Sequence, residues 1–232
     1  TAMPPVVTSA SASGTYNTLF SYQIAATNSP TSYGVTGLPP GLSVNTSSGV
    51  ISGTPTQTGP FTVNLSATNA GGTGTGTLSL TINKATAQIA LGNLNQTYDG
   101  TVKSASATTT PANLNVIFNY VGSRINAGSY DFVASISDPN YTGNTTGTLV
   151  IAKANATVTV SGYTGTYDGA AHGATGTATG VGGVDLSGGL NLGATFTNAP
   201  GGTESRTFPG GTKNNNNKGT AANVINKANA AL

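Results

Sequence analysis

The stretch FTVNLSATNAGGTGTGTLSLTI, Phe61–Ile82, decides the fold class. Phe61, Val63, Leu65 and Ala67 alternate with Thr62, Asn64, Ser66 and Thr68; Leu78, Leu80 and Ile82 alternate with polar residues in the same way. A period of two sends apolar side chains to one face of a strand and polar ones to the other. Upstream, TLFSYQIAAT at Thr18–Thr27 reads as an earlier strand. Pro39, Pro40 and Pro55 break any helix, and Gly37, Gly41, Gly49, Gly53 and Gly59 punctuate short strands. Many short strands with turn residues between them predict a Greek-key sandwich. GGTGTGT at Gly71–Thr77 has the look of a phosphate loop, but it precedes a strand instead of a helix and is expected to be an ordinary loop.

The same region carries a spaced L-P-x-G-L, G-x-I-x-G-T-P and alternating strand, in LPPGLSVNTSSGVISGTPTQTGPFTVNLSATNAGG. It resembles the putative-Ig family of cadherin-like bacterial domains. The resemblance implies an immunoglobulin-like β-sandwich; most such domains are spacers, and some accompany carbohydrate-binding proteins or enzymes.

Beyond Asn83 the pattern changes to a repeat. TYDG occurs at Thr97–Gly100 and at Thr166–Gly169. Lys84 and Lys153, each followed by alanine, precede Tyr98 and Tyr167 by the same 14 positions, and the Lys-Ala pair recurs a third time in NKANAAL, which begins at Asn226. The lysine recurs after 69 positions and then after 74. Self-similarity at a near-fixed period marks tandem modules. Tyr98, Asp99 and Gly100, with Tyr167, Asp168 and Gly169, are therefore read as a structural motif: a packing ring, a carboxylate for nearby amides and a glycine free to take positive φ. LNVIFNY places Leu114, Val116, Phe118 and Tyr120 on one strand face, and SYDFVASI does the same for Tyr130, Phe132, Ala134 and Ile136. The second copy offers ATVTVSGY, the ambiguous GGLNLGATFT and ESRTF; poorer in large apolar residues, it should have the weaker core. KNNNNK at Lys213–Lys218 is expected to be an exposed loop.

These units resemble the YDG/MBG-type repeats of large bacterial surface proteins, through KATAQIAL, TYDG, NAGSYDFVASISDPNYTG and GTLVIAK in the first, and more loosely KANATVTVSGYTGTYDG, NAPGG and INKA in the second. The resemblance implies small all-β modules with no catalytic residues, leaving open whether each is Ig-like or closer to a β-grasp variant. The expected organisation is an Ig-like sandwich over 1–83, a YDG/MBG-type module over 84–152, a divergent second module over 153–226, and the start of a further repeat or a tail over 227–232. No Gly/Ser or Pro linker separates Ile82 from Lys84, Ile151 from Lys153 or Ile225 from Lys227. If the chain enters and leaves each module at opposite poles, such joints make an elongated array. Each joint lysine is expected to lay its stem on the seam with its ammonium in water.

Only 6% of the 232 residues are charged, against roughly 25% in an ordinary soluble domain. Eight Lys/Arg face six Asp/Glu with no basic run, which excludes a nucleic-acid interface built on clustered phosphate contacts. No stretch approaches the roughly 18 apolar residues of a membrane span, so no membrane insertion of this chain is expected. There is no cysteine for disulfides or zinc. The single histidine, His172, follows Asp168 by four positions and is expected to be an exposed turn residue. Asp99, Asp138 and Asp168 could each offer an oxygen, but isolated carboxylates make a poor calcium site. No catalytic residue, metal or cofactor is expected. The chain is read as a non-enzymatic stalk or spacer of a large bacterial extracellular or cell-surface, adhesin-like protein. Its expected partners are surface glycans or neighbouring domains of the parent protein. The alternative is a carbohydrate- or partner-binding module using Tyr16, Tyr22, Tyr33, Tyr141 or Tyr163.

Overall fold

The alternation over Phe61–Ile82 becomes a long antiparallel ribbon in the computed structural model, which describes residues 2–229. In chain order the first seven strands are β1 (Ala10–Thr15), β2 (Phe20–Gln23), β3 (Ser32–Thr36), β4 (Leu42–Val44), β5 (Val50–Gly53), β6 (Gly59–Asn69) and β7 (Gly72–Asn83). β6 and β7 pair along their whole lengths, from Gly59↔Ile82 to Asn69↔Gly72. β3 joins β6 antiparallel, and β1 joins β7 parallel, giving the order β1-β7-β6-β3. A second sheet, β2-β5-β4, faces it. Val63, Leu65, Ala67, Leu78, Leu80 and Ile82 from the first sheet are buried against Phe20, Ile24 and Ile51. The predicted Ig-like sandwich is therefore present. Its motif glycines have a steric reason: a Cβ on Gly41 would lie 2.0 Å from the Thr54 carbonyl oxygen, and one on Gly53 would lie 2.1 Å from that of Gly41.

GGTGTGT is not a loop. Only Gly71 belongs to the turn; Gly72 onward is strand. The alternating glycines make room for the N-terminal segment, which lies over this part of β7. A Cβ on Gly71 would come 2.3 Å from the Ala2 carbonyl oxygen, and one on Gly74 would come 1.8 Å from that of Pro5. The segment is held in turn by the Val7↔Ala26 bridge and by the Asn69 amide, which donates to the Met3 carbonyl at 2.9 Å.

The remaining strands are β8 (Ala85–Thr86), β9 (Gln88–Gly92), β10 (Asn95–Thr97), β11 (Ser106–Thr110), β12 (Val116–Tyr120), β13 (Gly128–Ile136), β14 (Tyr141–Thr142), β15 (Asn144–Ala152), β16 (Thr157–Ser161), β17 (Thr164–Thr166), β18 (Thr175–Thr179), β19 (Gly201–Phe208) and β20 (Asn217–Asn226). Two single 3-10 turns, Val181–Gly183 and Ser187–Gly189, are the only helical elements among the described residues. The chain is all-β.

Its contacts gather into two compact units. The first takes in residues up to 90, 107–118 and 134–145. It contains the sandwich and the parallel β14-β8 pair, Tyr141↔Ala85 and Thr142↔Thr86. The second takes in 91–106, 119–133 and 146 onward. There, Phe132, Leu149 and Ile151 are buried, and β10 pairs parallel with the end of β15, Asn95↔Val150 to Thr97↔Ala152. The sheet β17-β20-β19 and the pair β16-β18 follow. Apart from Phe208 and Ile225, the buried apolar side chains after residue 153 are alanines: Ala154, Ala178 and Ala221. Asn214 and Asn223 are buried with them, and neither side-chain nitrogen has a partner among the described residues. The expected thin core is present. The expected exposed loop at 213–218 is not: Asn214 is only 4% exposed and bridges Ala154, and Asn217 already begins β20. GGLNLGATFT forms no regular strand, only isolated bridges such as Asn191↔Thr207.

Candidate functional site

Each of the two Tyr-Asp-Gly turns folds around its carboxylate. Asp99 Oδ1 accepts the Thr101 amide at 2.9 Å and the Thr101 hydroxyl at 2.6 Å, while Oδ2 pairs with the Lys103 ammonium. Asp168 Oδ1 accepts the Ala170 amide at 2.9 Å and meets His172 Nε2 at 2.8 Å. Gly100 and Gly169 close the turns at φ 86° and 81°. Lys103 and His172 are thus the same position of the repeat, each set four residues after the aspartate. Lys103 holds Asp99 well below the usual carboxylate range, with Thr101 assisting. His172 and then the Ala170 amide lower Asp168 in the same way.

The backbone beside each pair recurs as well. The Lys103 amide donates to the Arg124 carbonyl at 2.9 Å, and the Arg124 guanidinium lies 3.9 Å over the Tyr120 ring. His172 and Phe196 exchange two backbone bonds of 2.8 Å. The His172 ring stacks on Tyr163, with centroids 3.9 Å apart and planes 6° from parallel. His172 is therefore not an exposed turn residue, since its side chain is only 19% exposed. Alanines and glycines around it suggested openness, whereas Tyr163, nine positions earlier, supplies the cover. Asp168 is the sole hydrogen-bond partner of the ring among the described residues. An imidazole bonded to a carboxylate but to no hydroxyl or thiol does not have the nucleophile–base–carboxylate arrangement of a catalytic triad.

Asp138 is likewise engaged with backbone, its Oδ1 accepting the Asn140 and Tyr141 amides at 2.8 and 3.0 Å. Among the described residues no three His, Asp or Glu side chains gather as a metal would require. A shallow depression of about 560 Å3 on the outer face of β3, β6 and β7 is lined by Thr36, Asn64, Ser66, Thr75 and their neighbours, without a titratable side chain.

The tyrosines converge on a different location, the strand ends. β1, β10 and β17 each run parallel to the last strand of a segment, β7, β15 and β20. Each ends in Thr, and the amide of the tyrosine that follows donates to the final carbonyl of the partner: Tyr16 to Asn83 at 2.9 Å, Tyr98 to Ala152 at 2.9 Å and Tyr167 to Asn226 at 2.8 Å. The next residue is in every case the joint lysine, Lys84, Lys153 or Lys227. Sequence reasoning found two of these ends and missed the first, although Thr15-Tyr16-Asn17 repeats the pattern with Asn for Asp.

A turn packs against the first two ends. Tyr16 meets Tyr141 edge to face, with centroids 5.3 Å apart and an interplanar angle of 78°. Beside them, the Thr58 hydroxyl donates to the Pro139 carbonyl at 3.0 Å, and Lys84 Nζ donates to the Asp138 carbonyl at 2.7 Å. In the second unit, Lys213 Nζ lies 5.7 Å from the centroid of Tyr98, and Lys153 Nζ donates to the Gly211 carbonyl at 2.6 Å. The Ala154 amide donates to the Lys213 carbonyl at 3.0 Å, and the Asn215 amide donates to the Ala154 carbonyl at 2.8 Å. Lys84 and Lys153 are exposed, but their ammonium groups are not merely solvated: each ties a turn more than 50 residues downstream to the joint.

Residues 4–83 match the model of the Putative Ig domain, and residues 87–155 match that of the MBG domain. The chain carries a Putative Ig domain followed by an MBG domain. Both are non-catalytic module types. No curated protein sequence matches the chain. Among solved structures it is similar to a putative alpha-galactosidase from Bacteroides fragilis NCTC 9343, at 28% identity over 36% of this chain and 19% of that one, with a TM-score of 0.33. It is also similar to the N-terminal eight Ig domains of Down Syndrome Cell Adhesion Molecule, at 11% identity over 99% of this chain and 37% of that one, with a TM-score of 0.40. The chain thus spans about a fifth of the former and just over a third of the latter. No helix among the described residues is long and apolar enough to cross a membrane.

Of the five tyrosines weighed for sugar binding, Tyr22 and Tyr33 pack on the Ig-domain core, Tyr16 and Tyr141 on each other, and Tyr163 on His172.

Proposed function

We propose that the chain is a non-enzymatic spacer segment of a larger bacterial extracellular or cell-surface protein of the adhesin kind. On this reading, residues 1–83, 84–152 and 153–226 are successive modules, the third a divergent copy of the second. The recurrence of the Tyr–carbonyl bond, the joint lysine and the Asp–cation turn supports that division. The observation that carries the proposal is the joint itself. Asn83 ends the last sandwich strand, Lys84 follows without a linker, and its ammonium is bonded to the Asp138 carbonyl. A joint pinned in this way restricts the slack that a flexible linker would give. The polar, nearly uncharged strand surfaces carry Thr, Ser and Asn where a spacer needs solubility without a specific charge pattern.

Small-angle scattering tests the proposal. A spacer of this length gives a radius of gyration well above the roughly 17 Å of a compact globule; a value near 17 Å overturns it. So does saturable binding on a glycan array, which would assign the chain to the carbohydrate-binding class.

A further inference from the structure

We propose that the Tyr167 end is the seat of a further β module entered at Lys227, whose returning turn lays an aromatic or lysine side chain on the Tyr167 ring. The inference rests on the spacer reading and names the partner of one end.

Three ends of this chain share one backbone arrangement: a strand finishing in Thr and followed by Tyr, parallel to a terminal strand, with the tyrosine amide on the last carbonyl. Two of them bear an occupant, Tyr141 on Tyr16 and Lys213 on Tyr98. In both, the occupant belongs to a turn in the segment that begins at the adjoining lysine, and that lysine bonds the same turn. Lys227-Ala228 repeats Lys84-Ala85 and Lys153-Ala154, and Lys227 is exposed. Of residues 227–232, which the sequence assigns to a further repeat or a tail, 230–232 lie outside the described residues.

The third end differs in its exposure. Tyr16 and Tyr98 are half-buried, but Tyr167 keeps 44% of its surface open. A Cβ on Gly100 would meet Val181 at 4.0 Å, whereas one on Gly169 would meet nothing within 4 Å. An exposed aromatic ring beside a bonded strand end offers apolar area and a π face, suited to another ring or to an ammonium. That is the chemistry of the two occupants already present.

Tyrosine nitration by tetranitromethane, mapped by mass spectrometry, tests the seat. In the chain as it stands, Tyr167 should react faster than Tyr16 and Tyr98. In a chain with residues 84–152 repeated after Asn226, Tyr167 should slow to the rate of Tyr98; a second extension, with residues 153–226, should do the same. An unchanged Tyr167 rate in both overturns the proposal. Protection of Tyr167 that instead grows with protein concentration, alongside a doubled mass in sedimentation, assigns the seat to a second copy and also overturns it. A third arm needs no extension. Tyr98→Ala should speed amide exchange in the 211–215 turn, while Tyr167→Ala leaves amide exchange in that turn unchanged. Equal exchange in the turn for Tyr98→Ala and the parent chain ends the proposal. Glycan binding would end the spacer reading without altering the Tyr167 rate, so the two failures are distinguishable.

Discussion

The ammonium of Lys84 donates to the carbonyl oxygen of Asp138 at 2.7 Å, across 54 positions of chain. The bond joins the first residue after the sandwich to a turn whose own amides, at Asn140 and Tyr141, are held by the Asp138 carboxylate. Lys84→Met keeps the stem and removes the donor. Because the lysine is exposed, the loss of stability should be small, about 1 kcal/mol or less. The local effect is larger: Asn140 and Tyr141 amides should exchange faster by hydrogen-exchange mass spectrometry, with β6 and β7 unaffected. Lys153→Met should act in the same way on residues 211–215. Exchange identical to the parent in both turns would show that the bonds hold nothing.

Tyr16 and Tyr141 provide an independent measure of the same joint. An edge-to-face pair contributes about 0.5–1.5 kcal/mol beyond buried area. A double-mutant cycle with Tyr16→Ala and Tyr141→Ala, followed by chemical denaturation, should return a coupling energy in that range. Tyr16→Phe should be nearly neutral, since the ring and not the hydroxyl makes the contact. Strict additivity of the two alanine variants would mean that the rings are neighbours without being partners.

The strands were legible wherever large apolar residues alternate: Phe61 to Ala67, Leu78 to Ile82 and Phe132 to Ile136 all lie as their period requires. Small residues conceal more. Gly72, Gly74 and Gly76 carry no hydrophobic signal, because what fills the space above them is the N-terminal segment: the Pro4 side chain at Gly72, the Pro5 backbone at Gly74 and chiefly the Val7 side chain at Gly76. Asn214 has the composition of a loop and the burial of a core residue. The Tyr-Asp-Gly spacing exposed a repeat, but not that Lys103 and His172 are equivalent, since one is a lysine among polar neighbours and the other an imidazole among alanines. Comparing which side chain four positions on can bond each aspartate, instead of residue type, would have paired them. The first tyrosine end was harder still, because Asn17 stands where the other two have aspartate and the strand it closes pairs with one distant in sequence.

Gly74→Ala tests the steric reading of GGTGTGT. The added methyl would sit 1.8 Å from the Pro5 carbonyl oxygen, so either β7 bends or the N-terminal segment lifts away. Overpacking of this kind costs about 1–3 kcal/mol. The variant should lower the denaturation midpoint and open residues 2–7 to limited proteolysis. Gly188→Ala, where nothing lies within 4 Å, is the control and should leave stability close to that of the parent. Equal protection of the segment in parent and Gly74→Ala would contradict the packing.

The Asp–cation turns set the direction of the pH response. Asp99 is lowered chiefly by Lys103 and then by Thr101, Asp168 by His172 and then by the Ala170 amide, and Asp185 by Ser187. A carboxyl whose folded value lies below its unfolded value, about 3.9 for aspartate, contributes stability that is complete above that value and lost as pH falls through the folded one. The turns should therefore hold at neutral pH and loosen only in acid. In Asp168→Asn, stability should depend less on pH below about 4 than in the parent, because the linked proton has been removed. NMR titration of the carboxyl carbons separates the causes. His172→Ala should raise Asp168 toward the ordinary range and leave Asp99 unmoved, while Lys103→Ala should do the reverse. If Asp168 titrates identically with and without the imidazole, the 2.8 Å contact is not what lowers it, and the equivalence of His172 with Lys103 fails as an electrostatic statement.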